Sequence, residues 1–233
     1  MKRTIRLTQD LVDRLPPTVD SEGPITISSP DDAWYDRTAA AILDQLGPDE
    51  PLWVFAIGSL IWNPRFPDVE RRSAYVEGWR RSFCLGPSLR NRGSPERPGM
   101  MLALEAGGEC WGVAIRMRHE DRHEALPELL KKEPPNPPGW VDAMTDEGPI
   151  RCIAFHMEPT FPRYCQEPEP EELADILANA VGTRGTMADY LLRTAIELEK
   201  AGIHDPHIWR LQEMVAERLE RLEPPDAASP EQN

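Results

Sequence analysis

Long apolar runs are missing from this 233-residue chain. The longest, residues 52–57, falls far short of the roughly 20 apolar residues that a membrane-spanning helix needs. Cysteine is scarce: Cys84, Cys110, Cys152 and Cys165 form no Cys-x-x-Cys pair and no close-set metal spacing. That speaks against a zinc ribbon and against a disulfide framework, and the four read as reduced, mostly buried thiols. Positive charge is in deficit, 26 Lys and Arg against 40 Asp and Glu, for a formal net charge of -14. Such a chain repels DNA, RNA and anionic membranes, so no nucleic-acid and no membrane partner is expected. Met1-Lys-Arg3 is basic, but no continuous apolar stretch follows it. A secretory signal is therefore not expected, and the reading is of a cytoplasmic protein.

What positive charge there is falls unevenly. Arg65, Arg71, Arg72, Arg80, Arg81, Arg90, Arg92 and Arg97 lie close together in the chain. They suit either a solvated surface or a site for a small anionic ligand.

Residues 1–50 read as an N-terminal helical extension, with a short helix over 7–15, a loop over 21–30 and a helix over 33–46 capped by Asp31-Asp32. Residues 51–222 read as the main domain. Strands are predicted over 52–57, 73–79, 82–85, 100–104, 109–117 and 150–157, with one helix over 119–132 among them. Helices then follow over 171–181, from Thr186 to 201, and from Pro206 to 222. The polar, Pro-rich residues 223–233 read as a disordered tail. The sum is an α+β chain around a strand-rich core that closes into something like a small barrel.

His119-Glu-Asp-Arg-His123 matches H-E-x-x-H, the zinc-protease spacing. Its neighbours Arg118, Glu120, Asp121, Arg122 and Glu124 make it a solvated turn, and Pro127 follows closely enough to disturb a helix. No third ligand stands out, so no metal is expected.

The stretch Val54-Phe-Ala-Ile-Gly-Ser-Leu-Ile-Trp-Asn-Pro64 interrupts its own apolar run at Gly58-Ser59. A strand that runs into Gly-Ser suits a turn whose backbone N–H groups face an anion or oxyanion. A bulge between two short strands explains it as well. Further along stand Glu70-Arg-Arg-Ser-Ala-Tyr-Val-Glu-Gly78, Arg80-Arg-Ser-Phe-Cys-Leu85, Arg92-Gly-Ser-Pro-Glu-Arg-Pro-Gly99, Cys110-Trp-Gly-Val-Ala114 and Asp189-Tyr-Leu-Leu192. In this order and spacing the motifs resemble the ChaC family of γ-glutamylcyclotransferases, from about residue 53 to 211.

The resemblance implies a small β-barrel-like core flanked by helices, no metal or organic cofactor, and a small-molecule γ-glutamyl substrate. Glutathione would be cleaved to 5-oxoproline and cysteinylglycine. It implies that Val54, Phe55, Ala56, Ile57, Gly58, Ser59 and Leu60 cradle the γ-glutamyl group, with Tyr190 nearby. The general base maps to Glu133, with Glu128 as its nearest competitor; without the resemblance, Glu133 reads as a helix-end surface carboxylate. The family usually has glycine and tyrosine where Ala56 and Ile57 stand, and a different loop in place of Pro134-Pro-Asn-Pro-Pro138. A single carboxylate suffices for the chemistry, because the substrate's own α-amino group attacks its δ-carbonyl. Other readings of the same residues are an enzyme for another γ-glutamyl amine, a non-catalytic γ-glutamyl-binding module, and a zinc hydrolase through His119 and His123.

Overall fold

The computed structural model describes residues 3–20, 23–25 and 27–223. The expected loop positions Ser21, Glu22 and Thr26, and the expected tail from residue 224 onward, lie outside the described residues.

Strand β1 (Trp53–Ala56) is buried at every position. That is why it reads as a solid apolar run: both of its faces meet protein. Five further strands surround it: β2 (Asp68–Ser88), β3 (Gly99–Met117), β4 (Gly139–Thr145), β5 (Gly148–Ala154) and the short β6 (His156–Met157). Strand β1 runs antiparallel to β3 and parallel to β5. The order β1-β5-β4-β2-β3, with β3 returning to β1, closes a ring, and β6 joins β3 outside it. The α+β expectation, a barrel-like core flanked by helices, therefore holds.

Alternation along β1 separates two cores. Trp53, Phe55 and Ile57 fill the barrel interior with Ala74, Val76, Ala114, Ala143 and Cys152, drawn from all the ring strands. Val54 and Ala56 point the other way, into the layer of helices. Small residues opposite large ones let so narrow a ring fill without voids.

Strands β2 and β3 are each continuous where the sequence suggested pairs of short strands. The apparent break at Gly78 and at Gly107-Gly108 is a bulge, with φ of 79°, 100° and 77° at the three glycines and a register shift between Glu77 and Trp79. The bulge bends the hairpin, so one half closes the barrel and the other reaches toward the helices. Strand β4 escaped the sequence reading. Its alternation is present, with Val141 and Ala143 buried, but it follows a proline run that signals a loop.

The helices are α1 (Gln9–Val12), α2 (Asp32–Leu43), α3 (Ser59–Trp62), α4 (Arg122–Leu130), α5 (Pro170–Asn179), α6 (Met187–Lys200) and α7 (Pro206–Leu219). The side chains of Asp31, Thr186 and Asp205 cap α2, α6 and α7 by accepting backbone N–H bonds. Helix α4 runs through Pro127, because Leu126, Leu129 and Leu130 bury against the core and outweigh one lost hydrogen bond. The N-terminal segment is tied to α7: the backbone N–H groups of Arg6 and Leu7 both donate to buried Gln212 Oε1 at 2.9 Å. Among the described residues no helix is long and apolar enough to cross a membrane. All four cysteines are free thiols, with Cys165 only partly buried.

Candidate active site

Beyond Ala56 the chain leaves the barrel at Ile57, passes Gly58 and enters the single turn of α3. Buried Arg81 holds this exit in place. Its Nε donates to Ile57 O at 2.8 Å and its Nη2 to Trp111 O at 2.6 Å, and its Nη1 pairs with Asp205, the cap of α7. Within the turn, Ile61 N–H donates to Gly58 O at 2.9 Å and Asn63 N–H to Ser59 O at 2.8 Å.

Helix α6 sets Tyr190 against this turn. Thr186 caps the helix by accepting from Asp189 N–H at 3.0 Å, which leaves Tyr190 in the first turn. Its ring meets Trp62 edge-on at 6.2 Å between centroids. The backbones of Ser59 and Leu102 act to lower the pKa of the phenol. Burial and the nearby Glu133 charge nevertheless push the phenol well above its ordinary range, so Tyr190 stays protonated.

Glu133 comes from a third direction. Helix α4 ends at Leu130, and Lys132 N–H donates to Leu129 O at 3.0 Å in the final turn. Pro134 disfavours helical geometry at Glu133. The proline loop is then anchored by Asn136 Nδ2 donating to His156 O at 3.1 Å. Glu133 keeps a partly accessible face on the cavity, yet burial raises its carboxyl to about 7, and the charge of Arg65 works against that rise. Glu128 is exposed and paired with Lys131 at 2.9 Å, so it does not compete.

These groups share one cavity of about 600 Å³. Phe55, Ile57, Gly58, Ser59, Leu60, Glu133 and Tyr190 all line it. Val54 and Ala56 do not: both are fully buried on the helix-facing side of β1, because successive strand residues point to opposite faces. His119 and His123 are not brought to the cavity either. His119 sits in a 3-10 turn, His123 in α4, both facing solvent, with His119 Nδ1 3.3 Å from Arg122 Nη1.

The arginine cluster divides. Arg71, Arg72, Arg80 and Arg81 are committed to Asp68, Glu70, Glu105 and Asp205. Arg65, Arg90 and Arg92 line the cavity, joined by Arg163 and Arg184 from distant parts of the chain. Arg92 is fixed by Asp189 at 2.8 Å and by Thr186 O at 3.0 Å, and lies 5.9 Å over Trp62. Sequence reasoning missed Trp62, Arg163, Arg184 and the wall formed by Pro24, Ile25 and Ile27. Only Trp62 carried a local signal, since it sits inside the interrupted apolar stretch.

Residues 52–218 match the family model described as ChaC-like protein. The chain is 38% identical over 163 residues to the glutathione-specific gamma-glutamylcyclotransferase of Escherichia coli (strain K12), covering 68% of this chain and 70% of that protein. It is 32% identical over 184 residues to gamma-glutamylcyclotransferase 2-3 of Arabidopsis thaliana, covering 74% of this chain and 92% of that protein. A crystal structure of a glutathione-specific γ-glutamyl cyclotransferase from yeast superimposes with a TM-score of 0.65 at 18% identity, over 72% of this chain and 96% of that one. That last likeness speaks for the fold.

Proposed function

Since the chain belongs to the ChaC-like protein family, we propose that it is a γ-glutamylcyclotransferase that cleaves glutathione, with Glu133 moving the protons. One observation carries the assignment of Glu133: a carboxyl raised to about 7 by burial lines the same cavity as the Gly58 turn and Tyr190. A base that titrates near neutrality is matched to proton transfer at physiological pH.

Glutathione enters with its γ-glutamyl end toward α3. Glu133 takes a proton from the α-ammonium group. The free amine attacks the δ-carbonyl of the same molecule and closes a five-membered ring. Nucleophile and electrophile are already tethered, so holding one conformer supplies much of the rate. Negative charge develops on the former carbonyl oxygen. Ile61 N–H is used inside the turn, whereas Leu60 N–H, at the start of α3, has no partner within that helix. It is the donor we assign to the oxyanion. Collapse breaks the bond to the leaving nitrogen, which receives its proton from Glu133. The second proton lost by the ring nitrogen follows, so 5-oxoproline and cysteinylglycine leave with the amine as an ammonium ion. No step calls for a metal, and the reduced thiols fit a cytoplasmic setting.

The test is incubation with glutathione and a γ-glutamyl dipeptide panel, with 5-oxoproline measured by mass spectrometry in the presence and absence of a chelator. Release that persists with chelator is expected. Release from no γ-glutamyl compound would overturn the reading. Activity lost to chelator, restored by zinc and abolished by His119→Ala would transfer it to the histidine pair.

A further inference from the structure

Arg65 has a backbone φ of 67° and is, among the described residues, the one non-glycine residue with positive φ. An L-residue held there costs on the order of 1 kcal/mol, and such residues cluster at functional sites. The cause is local. Arg65 lies in Asn63-Pro64-Arg65-Phe66-Pro67, between two prolines, and Phe66 beside it is buried in the core. The turn is pinned on both sides, and Arg65 is the residue thrown outward.

Its side chain is exposed and lines the cavity. It makes no hydrogen bond or ion pair with another described residue, unlike Arg92 on the same cavity or Arg81 beneath it. Its charge acts on Glu133 through space. An exposed guanidinium on the cavity wall whose charge reaches Glu133 is free to meet a ligand there, and a fork of N–H donors matches a carboxylate.

We propose that Arg65 is a specificity residue that binds a carboxylate on the leaving amine at the mouth of the cavity. The inference rests on the cyclotransferase reading. Glu133 must reach the scissile nitrogen to protonate it, so a cation near Glu133 on the solvent side meets the departing half of the substrate. In glutathione that half is two residues long, spanning roughly 7 Å when extended, and it ends in a carboxylate. With a net charge of -14, the chain as a whole repels anions. A local cation at the mouth offsets this where the substrate enters.

The experiment compares glutathione with its C-terminal amide, which differs only in lacking that carboxylate, on the wild-type protein, Arg65→Gln and Arg65→Lys. Initial rates are taken at pH 8.5, where Glu133 is ionised in each. Wild type is expected to show a KM for glutathione about fivefold to tenfold below that for the amide, as suits a charge-assisted pair at a partly exposed site. Arg65→Gln is expected to raise KM for glutathione by that factor and leave the amide unchanged, with kcat within about twofold. Arg65→Lys is expected to recover part of the preference. Equal effects on both substrates, or on neither, would overturn the proposal. Calorimetric titration of both compounds into Glu133→Gln decides the case without turnover: a carboxylate preference abolished by adding Arg65→Gln supports the assignment, and its absence overturns it. Failure of wild type to turn over any γ-glutamyl compound would count against the cyclotransferase reading instead.

Discussion

Tyr190 Oη packs so closely over Gly58 that a Cβ on Gly58 would lie 2.5 Å from it. The glycine between β1 and α3 is thus a matter of room: the phenol oxygen occupies the space any side chain would need.

Gly58→Ala is accordingly expected to cost about 1–3 kcal/mol in stability, the usual range for an overpacked site, and to lower turnover more than tenfold. Adding Tyr190→Phe removes the clashing oxygen. The double variant is expected to regain most of the melting temperature but little of the activity, because the phenol that shares the cavity with Glu133 is gone. Thermal melts and 5-oxoproline release measure the two effects separately, and purely additive losses would show that the two positions are independent.

As the proposed base, Glu133 can take a proton only when ionised, and burial raises its carboxyl to about 7. Below that pH, kcat/KM is expected to fall about tenfold per pH unit, with a plateau above about pH 8. A limb centred near 4.5 instead would show a solvent-like carboxylate. Rates with glutathione across pH 5–9 decide it.

Glu133→Gln is expected to abolish turnover while stabilising the fold. Between the unperturbed 4.5 and about 7, the folded chain holds a proton on Glu133 that the unfolded chain has lost, so this group's contribution falls as pH rises through that window. At 1.36 kcal/mol per pH unit the full penalty is about 3 kcal/mol above pH 7. The partly open face of Glu133 reduces this to roughly 1–2 kcal/mol. Urea unfolding at pH 5 and pH 8 checks it: the gain over wild type should grow from the first to the second.

Ile57 stands where the family usually has tyrosine, and its side chain lines the cavity. A hydroxyl there offers a hydrogen bond worth about 0.5–1.5 kcal/mol, or up to roughly tenfold in rate. Ile57→Tyr is expected to raise kcat/KM for glutathione at least about threefold. Ala56 faces the opposite side of β1, so its methyl does not crowd the new ring and Ala56→Gly should add nothing. A folded Ile57→Tyr variant with unchanged kcat/KM would remove the hydroxyl from consideration.

Arg81 is buried and serves Ile57 O, Trp111 O and Asp205 together. Arg81→Met leaves Asp205 charged and partly buried and frees the carbonyl that anchors the exit from β1. A loss of about 3–5 kcal/mol is expected from the orphaned charge, together with lower kcat. Adding Asp205→Asn should return part of the stability without restoring kcat, as read by denaturant unfolding and steady-state rates.

Much of this was legible in the residues themselves. The helix caps Asp31, Thr186 and Asp205 are local signals, since each side chain serves a backbone N–H three residues ahead. The interrupted run at Gly58-Ser59 marked a break in the strand, because glycine stands out inside an apolar stretch, but the helix α3 that follows it was not foreseen. The bulged hairpin was misread as pairs of short strands, because a glycine that bends a strand and a glycine that ends one look alike until the partner strand is present. Strand β4 was hidden by the prolines before it.

Sequence alone determined the α+β class and the break at Gly58, since periodicity, caps and glycine placement are written locally, while Glu133 was singled out only by the resemblance of the motifs to a known family. Tertiary structure alone decided which of those residues meet. It turned Val54 and Ala56 away from the cavity, committed Arg81 to a structural ion pair and left Arg65 exposed on the cavity wall. It also raised the Glu133 carboxyl by removing water from around it. These properties depend on what packs against a residue from far along the chain, and desolvation, unlike propensity, has no local code.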